Sequence, residues 1–532
     1  MKGGEIKVLT MRFSIPDIIV FLFYCAIVAS VGIFISRRVN KKKDSNSYFF
    51  AGNSLPWYLV GSSIIAANIS AEQFVGMSGS GFAMGLTIAT YEWLAAIMLI
   101  MVAWWFLPVF IYKKIFTMPQ FLEVRYNHRI KTVMAIFWLF LFVFVNLTSI
   151  LYLGALSLKT VFGINLGYAI AGLAVFSVLL TAGGGLKTIA NTDVIQVLFL
   201  VTGGLTTTYL ALNTVSGGQG ALNGFSILME KAPEKFHMIL SSSDPNYKYM
   251  PGIRSILGGI WIAGIYYFGA NQYIIQKALG AKSLKEAQRG MAFAGYLKLI
   301  IPVLVVIPGI AAFVLKADIV KPDEAYPWLL DRFVPSGVKG FVFAALIAAI
   351  VSSLAAIINS ASTIFSIDIY KVHFKPLISE ENLVKTGRIS SLIIVAVAAS
   401  IASLLTGIEQ VFQFIQEYTG LVSPGITAMF VLGIFWKKTT AKAAWIAVLI
   451  TLPVPILLKW ICPAMPFLDN MVISFMIISL QMIIVSLLDK RIQSQTSSWD
   501  LPVGIFKNTD SIFKGLTIGI ILILCVLYYI FW

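Results

Sequence analysis

Apolar runs long enough to cross a bilayer recur along the whole 532-residue chain, separated by short polar stretches. A membrane helix needs about 20 predominantly apolar residues. By that measure the pattern predicts about fourteen spans, near 14–36, 53–80, 84–112, 133–158, 166–183, 191–215, 253–278, 290–316, 340–371, 388–406, 409–436, 442–460, 470–488 and 513–531. The prediction is an all-α polytopic membrane protein. No short repeat or low-complexity tract appears.

Two spans are interrupted. In Ala66–Gly81, AANISAEQFVGMSGSG, the positions of Asn68, Ser70, Glu72 and Gln73 are those where a lipid-facing helix carries leucines. An unsatisfied backbone group in hydrocarbon costs several kcal/mol, so such a break is tolerated only where protein buries it or a watery cavity bathes it. Unwound backbone at membrane depth offers carbonyls to a cation and amides to a polar solute. The bland reading is a helix that ends early before a loop. Five spans later, Gly258–Tyr273, GGIWIAGIYYFGANQY, is broken in the same way. An odd offset reverses orientation, which is the pattern of an inverted repeat with paired broken helices. Glycine-rich helices also arise for close packing alone.

Composition narrows the class. The chain is 58% hydrophobic and 12% charged, with mean hydropathy +0.86, where soluble domains carry about a quarter charged residues. The net charge of +16 comes largely from basic residues in short loops between spans, so the positive-inside rule explains it better than nucleic acid does. With both termini outside, most basic residues fall in inside loops, Lys277 among them. Cys25, Cys462 and Cys525 are far apart and form no disulfide framework or zinc spacing. The three histidines are scattered. The first residues lack a signal-peptide core, so the first span is expected to stay in the mature protein. There is no Walker sequence, zinc motif or nucleophile elbow, so the reading is a protein that is not an enzyme and draws its energy from an ion gradient.

Several polar residues carry candidate chemistry. Glu92 sits between Tyr91 and Trp93 near the end of the third span. A buried carboxylate there is usually paired or functional; the alternative is an interfacial residue reaching headgroups. Lys298, read as the only basic residue inside a span, either snorkels or donates to substrate hydroxyls near Glu92. Ala349, Ser352 and Ser353 share one helical face at i, i+3 and i+4. With carbonyls of Ala66 and Ile69 they make a five-oxygen set for a monovalent cation, although serine pairs in membrane helices also simply pack or bond back to the preceding turn. Gln416 marks another polar break. Asp193 is expected at a helix start, either as an N-terminal carboxylate or on an ion-exit path.

At these residues the chain resembles the sodium/solute symporter family, in its sodium/glucose branch. The likeness is carried by NISAEQFVGMSGSG (68–81), YEWLAA (91–96), NTDVIQVLFLVTGG (191–204), IYYFGANQYIIQKALGAKS (265–283), VFAALIAAIVSSLAAIINSASTIFSIDIYK (342–371) and IQEYTGLVSPG (415–425), and it covers nearly the whole chain. It implies an inverted five-helix repeat core over about 53–436, of the amino-acid symporter type. One flanking helix would precede the core (14–36) and others would follow it (442–531), in a single domain. It implies sodium on Ala66, Ile69, Ala349, Ser352 and Ser353. It implies sugar contacts from Gln73, Glu92, Lys298 and Gln416. Tyr267 would stack under the ring as inner gate, braced by Asn68, with Met77, Tyr91 and Phe412 as the outer lid.

Two positions depart from the galactose-transporting pattern. Gly264 stands for an asparagine and Ala95 for a serine. The resemblance thus implies sodium-coupled symport of a hexose of galactose, glucose or mannose type by alternating access, in a multi-pass protein of the cell membrane. Gly264→Asn with Ala95→Ser is expected to raise galactose uptake relative to the native sugar. The rival readings are a sodium symporter for a polyol, amino acid or carboxylate, a solute sensor, and a channel. Glu92 in the pocket disfavours a carboxylate substrate.

Overall fold

The computed structural model describes residues 14–39, 44–70, 72–162, 164–405, 411–489, 499–507 and 509–532. Among these residues the regular elements are helices, apart from one isolated bridge between Leu55 and Ala281. Eleven of the helices are long and apolar enough to cross a membrane, or twelve when Ala441–Ile450 and Pro453–Ile461, bent by 43°, count as one span. Helix occupies all fourteen apolar stretches of the sequence. The lower count has local causes. The stretch at 53–80 is cut into two short halves. Leu166–Thr181 is shorter than a full span. The third case is the bent pair.

The stretches 166–183 and 191–215 form one helical run, Leu166–Val215, kinked at Gly185, where φ is +60°. That backbone conformation strains any residue with a side chain. A Cβ there would also lie 2.1 Å from the Tyr48 carbonyl oxygen. Glycine lets the chain turn while pressed against the short helix Ser45–Phe50.

The two interrupted spans break in matching ways. Trp57–Asn68 ends on Ile69, with φ −87° and ψ 115°. Gly259–Ile265 continues through the wide turn Tyr266–Ala270 and ends on Asn271, with φ −94° and ψ 120°. The chain then resumes as Glu72–Met77 and Ser78–Met84 in the first case and Gln272–Leu279 in the second. The start of the first span is tied to the end of the second. Leu55 N donates to Gly280 O at 3.1 Å, Lys282 N to Leu55 O at 2.9 Å, and Asn53 Nδ2 to Leu279 O at 2.9 Å. The two broken helices therefore run in opposite directions, as inverted repeats require.

The helix carrying Ser352 and Ser353, Val338–Thr363, is buried along almost its whole length. Its N-terminus is capped from the first span. Gly337 N and Gly340 N donate to Asp17 Oδ1 at 2.7 and 2.9 Å. A carboxylate on otherwise orphaned helix amides is a strong cap, and it fixes the height of the serine helix.

Outside the spans, Asp323 packs on the first interrupted helix; a Cβ at Gly79 would lie 2.6 Å from Asp323 Oδ1. Burial pushes this carboxyl up to about 7, Lys321 opposes the shift and Glu324 adds to it. A folded-state value above the usual 3.8 of an aspartate contributes stability that is full below 3.8 and lost as pH rises through about 7. Thermal unfolding in detergent is expected to show the protein gaining stability as pH falls from 8 to 5. Asp323→Asn should be more stable than the parent at pH 8 and flatter across that window. Parallel pH curves for the two proteins would remove Asp323 as the cause.

Candidate functional site

The interrupted helices and Thr90–Met101, with the segments 137–150 and 416–422, line a cavity of about 370 Å³. Its lining brings together Asn68, Gln73, Glu92, Tyr267, Lys298 and Gln416, all six residues expected to meet the sugar, along with Met77 and Tyr91 of the expected lid. The side chain of Phe412, the third lid residue, lies outside the described residues.

Glu92 and Lys298 come from helices 206 residues apart in sequence, yet Lys298 Nζ donates to Glu92 Oε2 at 2.5 Å. Lys298 is 1% exposed and Glu92 4%. Trp93 Nε1 on Leu299 O, at 3.2 Å, holds the two helices in register. The ammonium also lies 5.8 Å from the Phe268 ring centroid. Neither side chain snorkels or reaches headgroups. The pair presents a carboxylate acceptor and an ammonium donor, which is the set a polyhydroxylated ligand uses.

Each break contributes an asparagine. Among the described residues Asn68 Oδ1 and Asn271 Oδ1 are buried without a hydrogen-bond partner, and both residues line the cavity. A buried acceptor left unmade is costly, so two of them at a cavity wall point to a donor-bearing ligand. Asn271 was missed in the sequence because it reads as part of a generic polar break. Tyr267 stands edge-on to Tyr273, with centroids 5.7 Å apart, and Tyr91 meets Gln416. Gln73 also serves the break itself: its Oε1 accepts from Ser70 N at 2.9 Å and from Ser70 Oγ at 3.2 Å.

That capping frees two carbonyls beside the serine helix. In an unbroken helix Ser70 N would bond Ala66 O and Gln73 N would bond Ile69 O. Instead Ser70 N goes to the Gln73 side chain, and Gln73 N goes to Ser70 O at 3.2 Å. Ser353 Oγ faces both released carbonyls, at 3.4 Å from Ala66 O and 3.2 Å from Ile69 O. Ala349 and Ser352 are buried on the same helix. This neutral oxygen set suits a hard monovalent cation. No group of three or more His, Cys, Asp or Glu that could hold a metal ion occurs among the described residues.

Ser352 does not point where Ser353 does. Its Oγ donates to Asp193 Oδ1 at 2.6 Å. Asp193 also receives Ser63 Oγ, and Lys277 Nζ lies 3.4 Å from its Oδ2. This corrects three expectations. Asp193 is not at a helix start, because the run resumes at Gly185 and buries it completely two turns on. Lys277 is not a loop residue; it is 1% exposed within Gln272–Leu279. Lys298 is therefore not the only basic residue buried in the bundle. The carboxylate joins both interrupted helices to the serine helix through one ion pair and two hydroxyls.

The exchange expected at Gly264 also meets an obstacle. A Cβ at 264 would lie 1.7 Å from Met98 Sδ. Asparagine fits there only if Met98 leaves.

Paired broken helices running in opposite directions around a polar cavity, with a cation-type oxygen set beside it, define a secondary transporter with an inverted-repeat core. The chain belongs to the sodium:solute symporter family, whose pattern it matches over residues 48–451. It is 49% identical to a sodium/glucose cotransporter of Vibrio parahaemolyticus, over 98% of each chain. It is 32% identical to sodium/myo-inositol cotransporter 2 of Sus scrofa, over 81% of this chain and 67% of that one. Among solved structures it resembles a substrate-bound, outward-open Na+-coupled sialic acid symporter, with TM-score 0.79, 24% identity and coverage of 90% and 99%. A nucleobase-cation-symport-1 family transporter shares the fold more loosely, with TM-score 0.50 and 14% identity.

Proposed function

We propose that the protein is a sodium-coupled symporter of a hexose, working by alternating access as a single multi-pass domain of the cell membrane with both termini outside. It performs no chemistry on its substrate. The observation that carries the reading is the cavity itself. A carboxylate–ammonium pair and two unpartnered amide acceptors converge on one cavity beside released backbone carbonyls. Hydroxyls of a sugar satisfy those groups; an apolar or anionic solute does not. The near-full-length similarity to a sodium/glucose cotransporter supports the same substrate class.

In this reading sodium sits among Ala66, Ile69, Ala349, Ser352 and Ser353. The sugar meets Gln73, Glu92, Lys298 and Gln416 above Tyr267, with Asn68 bracing the gate. Met77, Tyr91 and Phe412 cover it, and Asp193 lies on the path by which the ion leaves. Coupling then needs only that sodium and sugar prefer the same state of the transporter.

The test is uptake of radiolabelled D-glucose and D-galactose into proteoliposomes. An inward sodium gradient should drive accumulation that collapses when choline replaces sodium. Glucose, galactose, mannose and myo-inositol as competitors then rank the substrates. Steady ion current without solute, or accumulation indifferent to sodium, would contradict the proposal.

A further inference from the structure

The face that Thr90–Met101 turns to the cavity carries Glu92, Ala95 and Met98 at i, i+3 and i+6. It begins with the charged pair and becomes apolar one turn on. Met98 is 1% exposed. Its thioether fills the space that a side chain on the facing helix would need. A Cβ at Gly264 would lie 1.7 Å from Met98 Sδ, 3.0 Å from Cε and 3.2 Å from Cγ. The missing side chain at 264 and the methionine at 98 are thus one feature, a knob in a hole, and both residues line the cavity. Methionine is unbranched and fills irregular gaps, and its sulfur is only a weak acceptor. Ala95 adds no polar atom. On this face the strong hydrogen-bonding group is Glu92, six residues before Met98 and bonded to Lys298.

We propose that Met98, seated against Gly264, makes one corner of the cavity blind to a substrate hydroxyl, so that the transporter accepts a deoxyhexose lacking the hydroxyl that faces this corner. The inference rests on the hexose reading and deepens it. Polar sites discriminate because a missing hydroxyl leaves their own buried groups unpaired, whereas an apolar wall leaves nothing unpaired and tolerates the loss. A single ring position should therefore be permissive, and the positions facing the charged pair and the asparagines should not be.

The experiment is a competition series in proteoliposomes under a sodium gradient, with labelled D-glucose and D-galactose as probes and every monodeoxy derivative of each as competitor. One derivative is expected to compete within about threefold of its parent, while loss of hydroxyls facing the polar groups weakens competition far more, in keeping with sites built to bond a hydroxyl. Met98→Gln keeps the length of the side chain and adds an amide. In that variant the permissive position should become discriminating by about tenfold, the worth of one added hydrogen bond, with the order of the other positions kept. A uniform loss across all deoxy derivatives of the unmodified protein overturns the inference, without any need for the variant to fold. So does a Met98→Gln protein whose profile is unchanged or shifts equally at every position. Absence of sodium-driven uptake of both labelled hexoses instead overturns the hexose reading, and this inference with it.

Discussion

Glu92→Ala is expected to reduce sodium-driven sugar uptake by at least about a hundredfold. The residue has two jobs whose losses add. It accepts from Lys298 at 2.5 Å in a site where both side chains are almost wholly buried. Removing one partner of a buried ion pair costs about 3–5 kcal/mol, because the other charge is left uncompensated. At about 1.4 kcal/mol per factor of ten, that alone exceeds a hundredfold in the ratio of folded to unfolded protein. In the proposed reading the carboxylate also accepts from substrate hydroxyls. The two jobs separate in a pair of further variants. Lys298→Met should be as damaging as Glu92→Ala. The double variant Glu92→Ala/Lys298→Met removes both charges, and exchanging a buried pair for apolar groups is often neutral for stability. Its thermal unfolding in detergent should return close to that of the unmodified protein while uptake stays lost. Recovery of uptake along with stability would mean the pair is structural and the sugar is held by other groups.

The parts of the site that were legible in the sequence are those that violate the chemistry of a lipid-facing helix. Asn68, Ser70 and Gln73 interrupt an apolar run, and so does the glycine- and polar-rich stretch ending in Asn271. Hydrocarbon tolerates such breaks only around a cavity, so each announced itself without reference to any fold. The structure places them on single extended residues, Ile69 and Asn271, with nearly equal dihedral angles. Glu92 and Lys298 were legible singly for the same reason. Their pairing, across 206 residues, was an expectation that only the packing of Thr90–Met101 on Leu284–Val314 could bear out.

What the sequence hid are residues whose neighbours decide their role. Lys277 lies close to a basic loop, and counting charges by loop assigned it there. Its helix starts inside a break, which draws the whole of Gln272–Leu279 into the bundle. Asp193 looked like the first turn of a helix because nothing in the residues 184–192 shows that the run resumes at Gly185. Met98 is one apolar residue among many in its helix, and its meaning comes from the absence of a side chain 166 positions away. The span count was high for a related reason. Apolar length shows in a sequence, but a 43° bend or an early stop depends on what the helix packs against.

Ser353→Ala is expected to raise the sodium concentration for half-maximal uptake by about ten- to a hundredfold, while maximal uptake at saturating sodium and thermal stability remain near those of the unmodified protein. A hydrogen-bond-type contact to a charged partner is worth about 1.5–3 kcal/mol, and the proposed cation cage loses one of its few oxygens. The serine hydroxyl faces both carbonyls that the break releases, Ala66 O and Ile69 O. Its loss leaves those carbonyls where they are, since Gln73 and Ser70 hold the break independently. This explains why affinity should change before fold does. Ser352→Ala offers the contrast. That hydroxyl gives its proton to Asp193 at 2.6 Å, which leaves its oxygen lone pairs free to face a cation. Its removal costs a ligand and also strips a donor from a buried carboxylate, so it should weaken sodium activation and lower thermal stability together. Sodium activation curves for both variants, beside their melting temperatures, decide the matter. Unchanged activation in Ser353→Ala would move the sodium site away from the first break, and the released carbonyls would then belong to the sugar cavity alone.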